Sequence, residues 1–171
     1  MTIQDKPQPE PLAGPSRDLH VQRILCPVDF SDFSQHALLY AHGLGQHFGA
    51  RVFVQHTVQP GVAYLGGMDP GPAVVDSEVQ IRAAREEVRK MLSAADIDSA
   101  EVTVLLNSGD LAARILETES KERIDLLVMG SHGHHGFTRL IMGSNAENII
   151  HASVCPVLVI SKPTEGLYDK N

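Results

Sequence analysis

The chain predicts an α/β fold: an open five-stranded parallel sheet with helices on both faces. Three observations predict it. Short apolar runs of strand length alternate with longer segments whose apolar residues recur at helical spacing, the pattern of strand–helix–strand crossovers. The runs at 23–28 and 124–129 are almost continuously apolar, as buried strands are. The 171 residues, 43% hydrophobic and 20% charged, suffice for one domain with its own core and are too few for two ordinary ones.

The elements follow in order. Residues 1–20 are polar and carry four prolines, so they read as a mobile tail. Arg23 to Val28 is the first strand and ends in Asp29. Ser31 is placed to cap a helix whose apolar positions are Ala37, Ala41, Leu44 and Phe48, and Gly49 closes it. Val52 to Val58 is the second strand. A long connection over 59–75 contains Pro60-Gly61, Gly66-Gly67 and Pro70-Gly71-Pro72; loops of that length are usually functional or disordered. A helix runs from about Asp76 to Ala95, with Ala84, Val88, Met91 and Ala95 on one face and an exposed charged face from Arg82 to Lys90. Glu101 to Leu106 alternates like a strand. Asp110 opens a third helix through Ile115 to Lys121, and Ile124 to Met129 is the fourth strand. A last helix over Asn145 to Ala152 precedes the fifth strand, Pro156 to Ile160. The domain thus spans 21–161, and residues 162–171 are a polar tail.

In such sheets ligands sit outside the carboxyl ends of the strands, where the strand order reverses. Asp29, Thr57 and the loop from Gly130 all follow or close a strand, so residues far apart in sequence converge on one rim. The loop is the most informative stretch. Gly130, Gly133 and Gly143-Ser144 are spaced Gly-x2-Gly-x9-Gly-Ser between a strand and a helix. Glycines there let the backbone approach a phosphate and turn its N–H groups inward, and the helix N-terminus adds a favourable dipole. Ser144-x-x-Glu147 also has the form of a capping box, so the Ser144 hydroxyl either caps the helix or meets ligand. Arg139, in mid-loop, either meets phosphate or projects into solvent. His132, His134 and His135 lack a carboxylate or cysteine at ligand spacing, which argues against a metal site. His56 reads as a packed strand residue rather than a catalyst.

These residues resemble the universal stress protein family. Three blocks carry the likeness: Ile24 to Ser31; His56-Thr57; and Gly130 through Ser144 with Glu147-Asn148-Ile149-Ile150 and Cys155 to Val159. The glycine spacing is similar to that of the family's ATP-binding branch. The resemblance implies a Rossmann-like, adenine nucleotide alpha hydrolase-like fold. It implies ATP, with Mg2+ or Mn2+, as ligand. Pro27, Val28 and Asp29 would lie beside the adenosine, the Thr57 backbone would read the adenine edge, Gly130, Gly133, Gly143, Ser144 and Asn145 would surround the phosphates, and Met129 would also belong to the nucleotide site. It also implies a homodimer paired through Pro156 to Ile160, which an exposed apolar edge strand makes plausible. The chain departs from the family at Asn145 and Ala146, where many members carry Val, Thr or Ser, and at Leu111, where a proline often stands.

Composition excludes several classes. A formal net charge of −7, with no basic stripe, argues against nucleic acid and anionic membrane as partners. No run is long enough to span a membrane and the N-terminus has no signal-like apolar centre, so the expected location is cytoplasmic. Cys26 and Cys155 lie near opposite rims and read as unpaired thiols. The loop contains no lysine and no Walker pattern, so rapid phosphoryl transfer is not expected and ATP is read as bound rather than turned over. The alternatives are a slow ATPase or autophosphorylating protein, and an interaction protein independent of nucleotide.

Overall fold

The computed structural model describes residues 19–59, 62–63, 73–74, 77–131 and 144–161. Its strands are β1 (Arg23–Pro27), β2 (Arg51–Val58), β3 (Val62–Ala63), β4 (Ala73–Val74), β5 (Val102–Ser108), β6 (Leu126–Gly130) and β7 (Val157–Ile160). Its helices are α1 (Asp32–Phe48), α2 (Ser77–Ala94), α3 (Leu111–Glu122) and α4 (Ser144–Ala152). The main sheet is ordered β5-β2-β1-β6-β7, and every neighbouring pair is parallel. The five-stranded parallel sheet expected from the sequence is therefore present.

Side-chain alternation sorts the core into two halves. Ile24, Cys26, Val52, Val54 and Val128 face one side of the sheet, against Ala37, Leu38 and Ala41 of α1 and Val88, Met91 and Leu92 of α2. Leu25, Phe53, Leu127 and Met129 face the other side, against Ile115 of α3 and Ala146 and Ile149 of α4. Helices thus cover both faces. The chain leaves β1 in one direction through α1 to β2, and returns from the edge strand β5 through α3 to β6 on β1's other flank. The order reverses between β1 and β6, where crossovers go to opposite faces and a crevice opens at the strand ends.

Local chemistry explains the boundaries. The Ser31 hydroxyl accepts from Ser34 N and caps α1, and Gly49 ends it in the left-handed region at φ 66°. Asp110 caps α3 by accepting from Ala113 N at 2.8 Å. The strand expected from Glu101 begins instead at Val102, because Ser99–Glu101 form a 3-10 turn capped by Asp98. Within the long 59–75 connection, Val62–Ala63 pairs antiparallel with Ala73–Val74. Helix α4 starts at Ser144, one residue before the position the pattern suggests.

At the opposite rim, Glu119 organises the entry to β7. Only 3% exposed, it accepts from the Ser153 hydroxyl at 2.8 Å, Val154 N at 2.9 Å and Cys155 N at 2.8 Å. Burial opposes its charge, but these hydrogen bonds outweigh burial and hold its pKa below the ordinary value. Both cysteines are unpaired. Burial pushes the Cys26 thiol far above its usual range and Cys155 up to about 11, so both remain thiols at neutral pH.

Candidate functional site

The crevice between β1 and β6 is built first from the end of β1. Val28 N donates to Gln55 O at 2.8 Å, extending the ladder with β2 by one residue. The Val28 carbonyl is bonded to His56 Nδ1 at 2.8 Å, and the Phe30 and His56 rings lie 4.4 Å apart at 31°. His56 is thus a packed, hydrogen-bonded strand residue, as expected. The Val28 side chain is 4% exposed and belongs to the α1–α2 core, so its backbone is what it presents at the rim.

Asp29 is held in place by the start of α1. Its Oδ1 accepts from Ser31 N at 3.1 Å and from the Ser31 hydroxyl at 2.6 Å, while Asp29 N donates to Ser34 Oγ at 3.3 Å. Between Asp29 and Ser31, Phe30 takes φ 67°, an uncommon conformation for a residue with a side chain. The carboxylate and the sharp turn therefore form one unit: the turn aims Asp29 at the rim, and Ser31 both fixes the carboxylate and caps the helix. Strain retained in a short segment at a strand end is typical of ligand sites.

The end of β6 approaches the same helix. A Cβ built on Gly130 would stand 2.9 Å from Phe33 Cβ, 3.0 Å from Phe33 C and 3.2 Å from Phe33 O. Gly130 is therefore required for the close approach of β6 to the first turn of α1, whatever it does for a ligand. Ser131, 4% exposed, leaves the strand with its N–H donated to Ile160 O at 2.9 Å. From there the chain passes to α4, whose N-terminus a parallel crossover brings back to the carboxyl-end rim. Ser144 and Asn145 form its first two positions, both exposed.

Thr57 lies one residue before the end of β2, and its hydroxyl donates to Asn107 Oδ1 on β5 at 2.8 Å. At the outer end of the rim, Arg114 of α3 donates to Ser108 O at 3.0 Å and pairs with Glu117 at 2.7 Å. The structure thus brings Pro27, Val28, Asp29, Thr57, Met129 and Gly130 to one rim, with Ser144 and Asn145 at the helix end that faces it. Gly133, Arg139, Gly143 and the histidines at 132, 134 and 135 lie outside the described residues. Among the described residues no group of three or more His, Cys, Asp or Glu is placed to hold a metal ion, and no helix is long and apolar enough to cross a membrane. Sequence reasoning missed Gln55, Asn107, Phe33 and Arg114. For Gln55 a signal existed, since an amide in a central strand covered on both faces breaks its apolar pattern.

Comparison with known proteins fits this architecture. The family model described as "Universal stress protein family" matches residues 20–161. A universal stress protein of Methanocaldococcus jannaschii is 31% identical over 142 residues, covering 83% of this chain and 83% of its own. Among solved structures, universal stress protein UspA from Lactobacillus plantarum superposes with a TM-score of 0.68 at 24% identity, covering 84% of this chain and 99% of its own. The universal stress protein from Archaeoglobus fulgidus in complex with dAMP does so with a TM-score of 0.57 at 20% identity, covering 84% and 100%. At these identities the two superpositions speak to the fold.

Proposed function

The chain belongs to the universal stress protein family, and from that premise we propose that it is an ATP-binding member acting as a dimeric stress-response or signalling module in the cytoplasm. The observation that carries the reading is the reversal of strand order between β1 and β6, with Pro27, Asp29 and Gly130 at the crevice it opens. A structural relative of the same fold is described as a complex with dAMP, so the fold accommodates an adenine nucleotide.

In this reading Pro27, Val28, Asp29 and the Thr57 backbone hold the adenosine. Gly130, Gly133, Gly143, Ser144 and Asn145 surround the phosphates, with Arg139 beside them and Met129 at the end of β6 completing the nucleotide site. The amides at the start of α4 and its dipole supply positive potential in a protein of net charge −7. Mg2+ or Mn2+ would take most of its ligands from phosphate oxygens and water. The loop's lack of lysine fits a nucleotide that is kept rather than turned over quickly. The edge position of β7, where Leu158 is 37% exposed, fits pairing with the same strand of a second copy. The functional domain is taken as 21–161.

The test is direct. Purified protein is denatured and the supernatant separated by nucleotide chromatography. Release of ATP, ADP or AMP near one per chain is expected. Protein that releases none, and whose melting temperature does not rise with ATP and Mg2+, contradicts the proposal.

A further inference from the structure

Strand β2 carries two polar side chains where a central strand covered on both faces calls for apolar ones. Gln55 is 1% exposed and Thr57 6%. Alternation places both on the α3–α4 side of the sheet with Phe53. Gln55 is registered opposite Pro27, the last residue of β1, and Thr57 opposite Asn107 of β5. The pair therefore lies next to the crevice, on the face that α4 covers.

The hydrogen bonds among these residues have a fixed direction. The Thr57 hydroxyl spends its one hydrogen on Asn107 Oδ1 at 2.8 Å, so toward Gln55 it can only accept. Gln55 Nε2, 3.4 Å away, is the donor. The chain runs from Gln55 to Thr57 to Asn107, and this leaves Gln55 Oε1 as its open end. That oxygen is buried and has no hydrogen-bond partner among the described residues. A buried amide oxygen without a donor opposes folding and is normally paired. Beside a ligand crevice, a bound molecule is placed to supply the donor that the described residues do not.

Resting on the adenine-nucleotide reading above, we propose that Gln55 reads the base: its Oε1 accepts from the exocyclic amine of a 6-aminopurine. Thr57 and Asn107 act as positioning residues that keep the Gln55 amide from turning its NH2 group to the ligand. A 6-oxopurine offers an acceptor at the same place and meets the Gln55 oxygen with like polarity. The side chain of Gln55 thus adds selectivity for adenine over hypoxanthine and guanine to whatever affinity the phosphates provide.

The experiment compares ATP with ITP, which differ at the 6-position, by calorimetric titration of the full chain in Mg2+. The wild type is expected to favour ATP by about tenfold or more. Gln55→Leu removes the acceptor, and Thr57→Val releases the amide to rotate; in each the ratio should fall to within about twofold. Thermal unfolding checks that both variants fold. A wild type that binds ATP and ITP equally, or a Gln55→Leu variant that keeps the wild-type ratio, overturns the base-reading role and leaves the nucleotide site standing. A wild type that binds neither nucleotide overturns the site itself, and the base-reading role with it.

Discussion

Gly130→Ala isolates a role for this glycine that the phosphate reading does not contain. A β-carbon at this position meets Phe33 Cβ at 2.9 Å, and also the Phe33 carbonyl carbon at 3.0 Å and oxygen at 3.2 Å. Two of the three obstacles are backbone, and ordinary contact begins near 3.4 Å, so β6 and α1 must separate by a few tenths of an ångström. Neither moves easily. The start of α1 is tied down by the Ser31 cap and by buried Ala37, Leu38 and Ala41, and β6 is paired on both sides. Overpacking of this kind costs about 1–3 kcal/mol. At roughly 2–4 °C per kcal/mol for a chain of this size, a mid-range cost of about 2 kcal/mol lowers the melting temperature by about 4–8 °C. Differential scanning calorimetry without nucleotide reads it. Phe33→Ala in the same chain should not restore stability, because alanine keeps the Cβ and the backbone that obstruct. Gly49→Ala serves as a contrast: it has open space around its Cβ but φ 66°, so its cost of about 1 kcal/mol comes from the backbone alone. A Gly130→Ala protein that melts with the wild type, or one rescued by Phe33→Ala, refutes the steric argument.

Other perturbations separate the remaining parts. Glu119→Ala leaves the donors of Ser153, Val154 and Cys155 without their shared acceptor and should cost about 1–3 kcal/mol in urea unfolding at pH 7. Because the folded pKa of Glu119 lies below its unfolded value, its contribution is complete above about pH 4.3 and is lost as pH falls through the folded pKa; wild type and Glu119→Gln should therefore converge in acid. Asp29→Ala removes the acceptor for Ser31 N and Oγ and should weaken ATP more than pyrophosphate in parallel titrations, with equal losses counting against contact to adenosine. Leu158→Arg places a charge on the half-exposed edge of β7 and should shift sedimentation from dimer to monomer, while an unchanged profile removes β7 from the interface.

The fold was legible because its signals are local and redundant. Buried runs such as Ile24 to Cys26 and Leu127 to Met129, capping residues at Ser31 and Asp110, and Gly49 at a helix end all act where they stand in sequence. The rim was legible from topology: once strands and helices alternate, Asp29, Thr57 and Gly130 must share an end of the sheet. The fine structure was not, because it depends on partners distant in the chain. Phe33 explains Gly130 across nearly a hundred residues, and Asn107 fixes the direction of a hydrogen bond from Thr57 that no spacing reveals. The positive φ of Phe30 has no sequence signature, since phenylalanine rarely adopts it. Nor did the pattern expose the 3-10 turn over Ser99–Glu101, where Asp98 and not the alternation of the following strand decides the boundary.

The central claim is that backbone amides presented by the glycine loop grip the triphosphate without a lysine. Titration of nucleotide-free protein with ATP and Mg2+, beside Gly133→Val, tests it most directly. Saturable binding that weakens about tenfold or more in the variant, with the melting temperature of the apo protein unchanged, is the expected result. Equal affinity of the two proteins for ATP, or no binding by either, contradicts it.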